Sequence, residues 1–159
     1  KAPAGGFDHS DKDNEVKATV MFPNDKVAMG DQVGCWAACH KDVRTMPGGD
    51  DKKTKYVTAG AMDLMQWTSS GKTIDGSVTD KRNMEGGKAG VTAEGSKSGD
   101  TYTVTFTRKL AGGVNLAPGK AVPFGVAVHA DHAGGRFHHV SFGHTIGLGA
   151  DGDVKATKQ

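Results

Sequence analysis

The sequence predicts a mainly β protein, a β-sandwich with one or two short helices. The chain contains 24 glycines among its 159 residues, and Gly weakens a helix interior by about 1 kcal/mol relative to Ala. Short alternations of apolar and polar residues recur along the chain, with turn residues such as Gly, Asn and Asp between them. Many short strands separated by turns favour packed β-sheets over a helical bundle.

The clearest strand signal is residues 101–110, where Tyr102, Val104 and Phe106 alternate with threonines. The alternation and the flanking turns also predict further strands, at residues 15–22, around 74–84 and 90–94, at 122–130 and at 137–148. A short helix is predicted within 31–46, and residues 61–68 are ambiguous between a helical turn and a strand.

Length and charge limit the class of protein. A chain of 159 residues predicts one domain, with a loose segment at 1–14 and a polar tail at 150–159. Its 20 basic and 18 acidic residues are interspersed, so no basic block indicates nucleic-acid binding. The chain contains no run of about 18 apolar residues, so its sequence predicts no membrane span. The chain begins at Lys1 rather than Met, which we interpret as a processed or trimmed product.

The motif that carries chemistry is Cys35-Trp36-Ala37-Ala38-Cys39-His40. Covalent attachment of haem needs two thiols, one for each vinyl group, and a His directly after the second Cys to ligate the iron. The usual spacing is C-x-x-C-H, and here one more residue separates the thiols. We therefore predict haem c, with a disulfide between Cys35 and Cys39 or a zinc site as the alternatives.

A second axial ligand is expected if the haem only transfers electrons. Five of the 7 histidines lie between His129 and His144. On a strand, His138 shares a face with Val140, Phe142 and His144, so we favour it over His139. The other candidates for this ligand are Met29 and Met46.

Other side chains are expected around the haem. Trp36, Phe137, Phe142 and Met65 are candidates for packing against the ring. Arg136, Arg44 or a Lys would serve the haem carboxylates.

Several segments resemble a known family. The stretch from Gly34 through Cys35 and His40 to Pro47 is similar to the haem-attachment segment of the c-type domain related to the γ subunit of ethylbenzene dehydrogenase. That domain also occurs as a C-terminal extension of membrane tetrahaem quinol-oxidising cytochromes. Three further matching stretches are residues 62–67, residues 90–95 leading to 102–108, and residues 123–129 through 135–142.

The resemblance implies a β-sandwich around a single covalent haem that transfers electrons without catalysis. The γ subunits ligate a non-covalent haem with Met and Lys, which by segment correspond to Met29 and to a position near His138. Since this chain has His40 and a His at the Lys position, we expect a His40/His138 pair, with Met29 displaced into the core.

The function expected from the sequence is a periplasmic or otherwise exported monohaem electron carrier. Expected partners are redox proteins, namely a quinol-oxidising membrane cytochrome and a terminal oxidoreductase. A haem-based sensor with a labile sixth ligand is one alternative. A β-sandwich stabilised by zinc or a disulfide, which only binds partners, is the other.

Overall fold

The computed structural model describes residues 15–27, 29–33, 60–79, 82–129 and 139–157. In chain order the elements are β1 (Lys17–Pro23), α1 (Gly30–Val33), β2 (Met62–Thr68), β3 (Thr73–Val78), β4 (Arg82–Asn83), β5 (Thr92–Ser98), β6 (Thr101–Thr107), β7 (Ala121–His129), β8 (His139–Val140), β9 (His144–Gly147) and β10 (Val154–Lys155).

Within these residues, two sheets make up the fold. The larger one has the order β10-β9-β7-β1-β2-β3-β4, with β8 paired to β7, and the smaller one is the hairpin β5–β6. The pairings within the larger sheet are antiparallel except for the short parallel pairing of β9 with β10. Strand β7 pairs with β1 along one edge, and on its other edge with β9 and then β8.

Side chains alternate along each strand, so the larger sheet contributes a buried cluster on each of its two faces. One face, called face 1, carries a cluster of buried residues: Met21, Val27, Met62, Leu64, Ile74, Val78 and Ala127. The opposite face, called face 2, carries a second buried cluster: Phe22, Met65, Leu116 and Val122. Neighbours such as Met21 and Phe22 therefore belong to different halves of the core.

The hairpin β5–β6 packs over face 2, which gives the molecule its sandwich architecture. Trp67 of β2 is buried and meets Tyr102 of β6, with ring centroids 6.0 Å apart. Gly95 of β5 lies so close to the Trp67 ring that a Cβ there would be 2.3 Å from indole carbons. The close approach of hairpin and sheet thus requires glycine at this position.

The structure confirms a mainly β sandwich, and it resolves or corrects the individual predictions. Within residues 61–68, Met62–Thr68 form a strand, β2, rather than a helical turn. The single strand predicted at 137–148 is wrong, because the chain leaves the sheet between β8 and β9. The polar tail contains the short strand β10. Of the helix predicted within 31–46, residues 31–33 belong to α1, and the remainder lies outside the described residues.

Candidate functional site

The residues of the predicted haem site fall in two segments outside the described residues. Cys35, Trp36, Cys39, His40 and Met46, with Arg44, belong to 34–59. Arg136, Phe137 and His138 belong to 130–138. Their roles stay predictions, but the structure describes the elements that flank both segments.

The segment with the cysteine motif follows α1 directly. The chain turns after β1, where the backbone N–H of Val27 donates to the Asn24 carbonyl and that of Gly30 donates to the Val27 carbonyl. Gly30 packs against Pro23, at the end of β1, and a Cβ there would lie 2.9 Å from the Pro23 Cβ. The end of β1 therefore positions α1, from which the motif departs.

The segment with His138 ends where β8 begins. The backbone N–H of Ser141 donates to the Val126 carbonyl, and the Val126 N–H donates to the Ser141 hydroxyl, at 2.9 Å. Val140 packs against the face 1 cluster. This anchored stretch holds β8 against β7.

A direct contact joins the two flanking regions. The backbone N–H of Gly143, between β8 and β9, donates to the Gln32 carbonyl of α1 at 2.9 Å. A Cβ on Gly143 would lie 2.1 Å from the Asp31 carbonyl oxygen. Helix α1, which precedes the cysteine motif, and the β8–β9 connection, which follows His138, are thus in direct contact.

Two predicted positions turn out to be wrong. Met29 is not displaced into the core, because its side chain is 58 % exposed. Its φ of 58° lies in the left-handed region, which disfavours side chains. Phe142 is 72 % exposed and lies beyond the end of β8, so the predicted strand face that it shares with Val140 is wrong, while its packing against the haem stays a prediction. Met65, the other described candidate for packing on the haem, lies in the face 2 cluster.

The three described histidines, His129, His139 and His144, lie on three different strands, β7, β8 and β9. His139 is exposed on β8, opposite Val128. His144 is exposed on β9, where its ring lies 5.9 Å from that of Phe124. Within the described ranges no group of three or more His, Cys, Asp or Glu side chains could hold a metal ion.

A buried ion pair on face 2 has no counterpart among the sequence predictions. Arg108 Nη1 lies 2.8 Å from Asp63 Oδ2, with side chains 7 % and 9 % exposed. The same carboxylate oxygen accepts the Val114 N–H at 2.7 Å, and Arg108 Nη2 donates to the Val114 carbonyl at 2.8 Å. The pair therefore fastens the segment after β6, residues 108–116, which we call the strap, onto the sheet.

The surroundings of the ion pair change the pKa of Asp63 and give Arg108 a further contact. Burial raises the pKa of the Asp63 carboxyl, even though the Val114 amide and the Arg108 charge both lower it; Asp75 adds a smaller rise. The Arg108 guanidinium also lies over the Phe22 ring, 5.1 Å from its centroid. The sequence feature that could have indicated this buried pair is the lone Asp in the apolar run Met62-Asp63-Leu64-Met65.

No described helix is long and apolar enough to cross a lipid bilayer.

Comparisons with known proteins agree with the motif. No protein-family model and no solved structure matches the chain. The chain is 50 % identical over 167 residues to cytochrome c-552 of Stutzerimonas stutzeri, and 98 % of it is covered. It is 49 % identical over 160 residues to cytochrome c-551 of Rhodocyclus tenuis, and 100 % of it is covered. It spans 57 % and 61 % of the lengths of these relatives. The chain is thus similar, over almost all of its residues, to two proteins named as c-type cytochromes.

Proposed function

We propose that this chain is a monohaem c-type cytochrome domain that transfers electrons and catalyses no reaction of its own. The observation that carries the proposal is the sequence Cys35–His40, which holds two thiols and a histidine, in a chain about half identical to two proteins named as c-type cytochromes. A disulfide would leave His40 without a role. A zinc site would need two further ligands.

The residues that would hold the haem are Cys35 and Cys39 through thioethers, and His40 and His138 as axial ligands. His139 is less suited to the sixth position, because its neighbour Val140 on β8 packs against face 1 and His139 therefore points to the opposite face. When bound, the haem supplies a one-electron couple, and two strong ligands leave no open site for a substrate. The chain's own task is to hold the ligands and exclude water.

We place the haem against face 1. Support comes from the flanking elements: Val27, just before α1, and Val140 of β8 both join the face 1 cluster. That cluster also supplies the thioethers of Met21 and Met62, which adapt to irregular apolar surfaces. Face 2, by contrast, is already covered by the hairpin and the strap. An apolar face beside both haem-bearing segments fits an apolar macrocycle.

The finer parts of the proposal concern context. We propose that the domain acts in the periplasm, or is otherwise exported. Its partners are redox proteins, a quinol-oxidising cytochrome upstream and a terminal oxidoreductase downstream, met through small and transient contacts. The relation to the ethylbenzene dehydrogenase γ subunit belongs to the same proposal and rests on the matching segments described above.

The test is a pyridine haemochrome spectrum of protein made with a working haem-attachment system and extracted with acid acetone. The proposal expects a c-type α-band that stays with the polypeptide and is lost in Cys35→Ala/Cys39→Ala. Protein without haem would overturn the proposal and leave the zinc or disulfide interpretation.

The sixth ligand is tested on the native oxidised protein. With His40 and His138 as ligands, the long-wavelength sulfur-to-iron charge-transfer band is absent, and His138→Ala makes the iron high-spin. A sulfur-to-iron band that Met29→Ala or Met46→Ala removes would keep the cytochrome but assign the ligand to that methionine.

A further inference from the structure

Gly143 occupies a point of the fold at which no other residue fits without movement. Its N–H donates to the Gln32 carbonyl at 2.9 Å. A Cβ there would lie 2.1 Å from the Asp31 oxygen, 2.6 Å from the Asp31 carbonyl carbon and 3.0 Å from the Gln32 carbonyl carbon. These are backbone atoms, so a methyl group could be accommodated only by moving α1 away from the β8–β9 connection.

Both partners in this contact are short and anchored on their other sides. Helix α1 has 4 residues and rests through Gly30 on Pro23 and Val27. The β8–β9 connection is fixed to β7 by the two hydrogen bonds between Ser141 and Val126. Gly143 is therefore a point at which a displacement of α1 is transmitted to the β8–β9 connection.

Chain connectivity links this contact to the proposed haem site. Cys35 is the second residue after Val33, and His138 immediately precedes His139. One residue advances the chain by at most about 3.6 Å. A shift of α1 relative to β8 would therefore change the separation between the start of the cysteine motif and the proposed sixth ligand.

We propose that Gly143 is a positioning residue, which fixes the covalent haem segment relative to the sixth ligand by letting α1 pack against the β8–β9 connection. The inference rests on the proposed function. It requires glycine because of the space available, not because of backbone conformation. The residue touches neither iron nor haem in this role, and it acts through the two elements that it joins.

Gly147 provides a matched control. It lies four residues further along, in β9, and a Cβ there would lie 1.9 Å from the Ala150 carbonyl oxygen. Gly147→Ala therefore introduces the same kind of collision, a methyl group against a backbone oxygen, in the turn towards β10 instead of at α1. Loss of stability alone would affect both variants, whereas a positioning role affects only Gly143.

The experiment compares wild type, Gly143→Ala and Gly147→Ala as holoproteins, all with covalent haem. We expect Gly143→Ala to keep its thioether-bound haem, to gain a high-spin fraction in the electron paramagnetic resonance spectrum and to change reduction potential. We expect Gly147→Ala to retain the wild-type spectrum and potential. Equal spectra and potentials in the two variants would overturn the role of Gly143, while a wild type without covalent haem would overturn the proposed function and this role with it.

A milder variant decides the question if Gly143→Ala does not fold. Gly30→Ala pushes on α1 from its other side, where a Cβ would meet side-chain carbons of Pro23 and Val27 at 2.9 to 3.2 Å. We expect a smaller gain in high-spin signal from it. A folded Gly30→Ala protein with the wild-type spectrum and potential would count against the inference.

Discussion

Face 2 of the sheet is covered by elements that the structure describes from end to end, whereas on face 1 the cluster includes Val27 and Val140, which lie near the ends of the two segments with the proposed haem ligands. The hairpin and the strap are fixed to face 2 by the tilted contact between the Trp67 and Tyr102 rings and by the buried Asp63–Arg108 pair. On face 1, the described residues that join the cluster from outside the long strands are Val27, Met84 and Val140. Described elements of the polypeptide thus cover one half of the core, and in our proposal the haem lies beside the other half.

Breaking the ion pair should have the largest effect on stability. Asp63→Ala leaves Arg108 with an uncompensated buried charge, and such a loss costs about 3–5 kcal/mol of unfolding free energy. Chemical denaturation of Asp63→Ala, Arg108→Ala and the double variant measures the coupling. We expect the double variant to be less destabilised than the sum of the single variants.

Lys155→Ala is the control for this prediction. Its ion pair with Asp151 has a similar length, 2.9 Å, but its side chains are 71 % and 97 % exposed. We expect little change in the unfolding free energy, since solvent screens exposed pairs.

If the losses of unfolding free energy in Asp63→Ala and Arg108→Ala simply add in the double variant, the two residues do not act as a unit.

Two buried methionines on one strand sharpen the comparison of the faces. Met62 is on face 1 and Met65 on face 2, with exposures of 0 % and 4 %. Truncation of either to Ala should cost about 2–5 kcal/mol. If the haem lies against face 1, only Met62→Ala should also shift the Soret band and the reduction potential. If only Met65→Ala shifted the Soret band and the reduction potential, the haem would instead lie against face 2.

The pH dependence of stability should show the smallest effect, that of one titrating group. The pKa of Asp63 in the folded protein is raised above its ordinary value of 3.8, so the folded state binds this proton more tightly than the unfolded state. The resulting stabilisation is present below pH 3.8 and is lost as the pH rises through the raised pKa.

The measurement is the pH profile of the unfolding free energy of wild type relative to Asp63→Asn. We expect the wild type to lose stability relative to the variant as the pH rises above 3.8. The opposite slope would mean that attraction to Arg108 outweighs the cost of burying the carboxylate. Asp75, whose charge also faces Asp63, stays unchanged in both proteins.

Local pattern predicted those strands whose two faces differ in polarity. In β6, half-buried Tyr102, Val104 and Phe106 alternate with exposed threonines, and the strand was predicted from this alternation. Strand β2 is buried on both faces, so its sequence MDLMQWT has no clear period and left helix and strand unresolved. The alternation that marks a strand disappears when both of its faces belong to the core.

Contacts between distant residues could not be predicted in this way. The predicted strand 137–148 is interrupted because Ser141 bonds Val126 and Gly143 docks on α1. Asp63 and Arg108 lie far apart in the sequence, and nothing local pairs them. The cysteine motif, by contrast, carries its chemistry in six consecutive residues, so the sequence alone indicates a haem.

The pairing of β1 with β7 has a consequence for the time course of folding. Lys17 aligns with His129, so the centre of the larger sheet joins two strands that lie far apart in the sequence. Such non-local pairing slows folding to the order of milliseconds to seconds. During synthesis the cysteine motif emerges before β7, so the thiols are available to a haem-attachment system while the sheet is still open. Under the proposed function, we therefore expect covalent attachment to precede the pairing of β7 with β1.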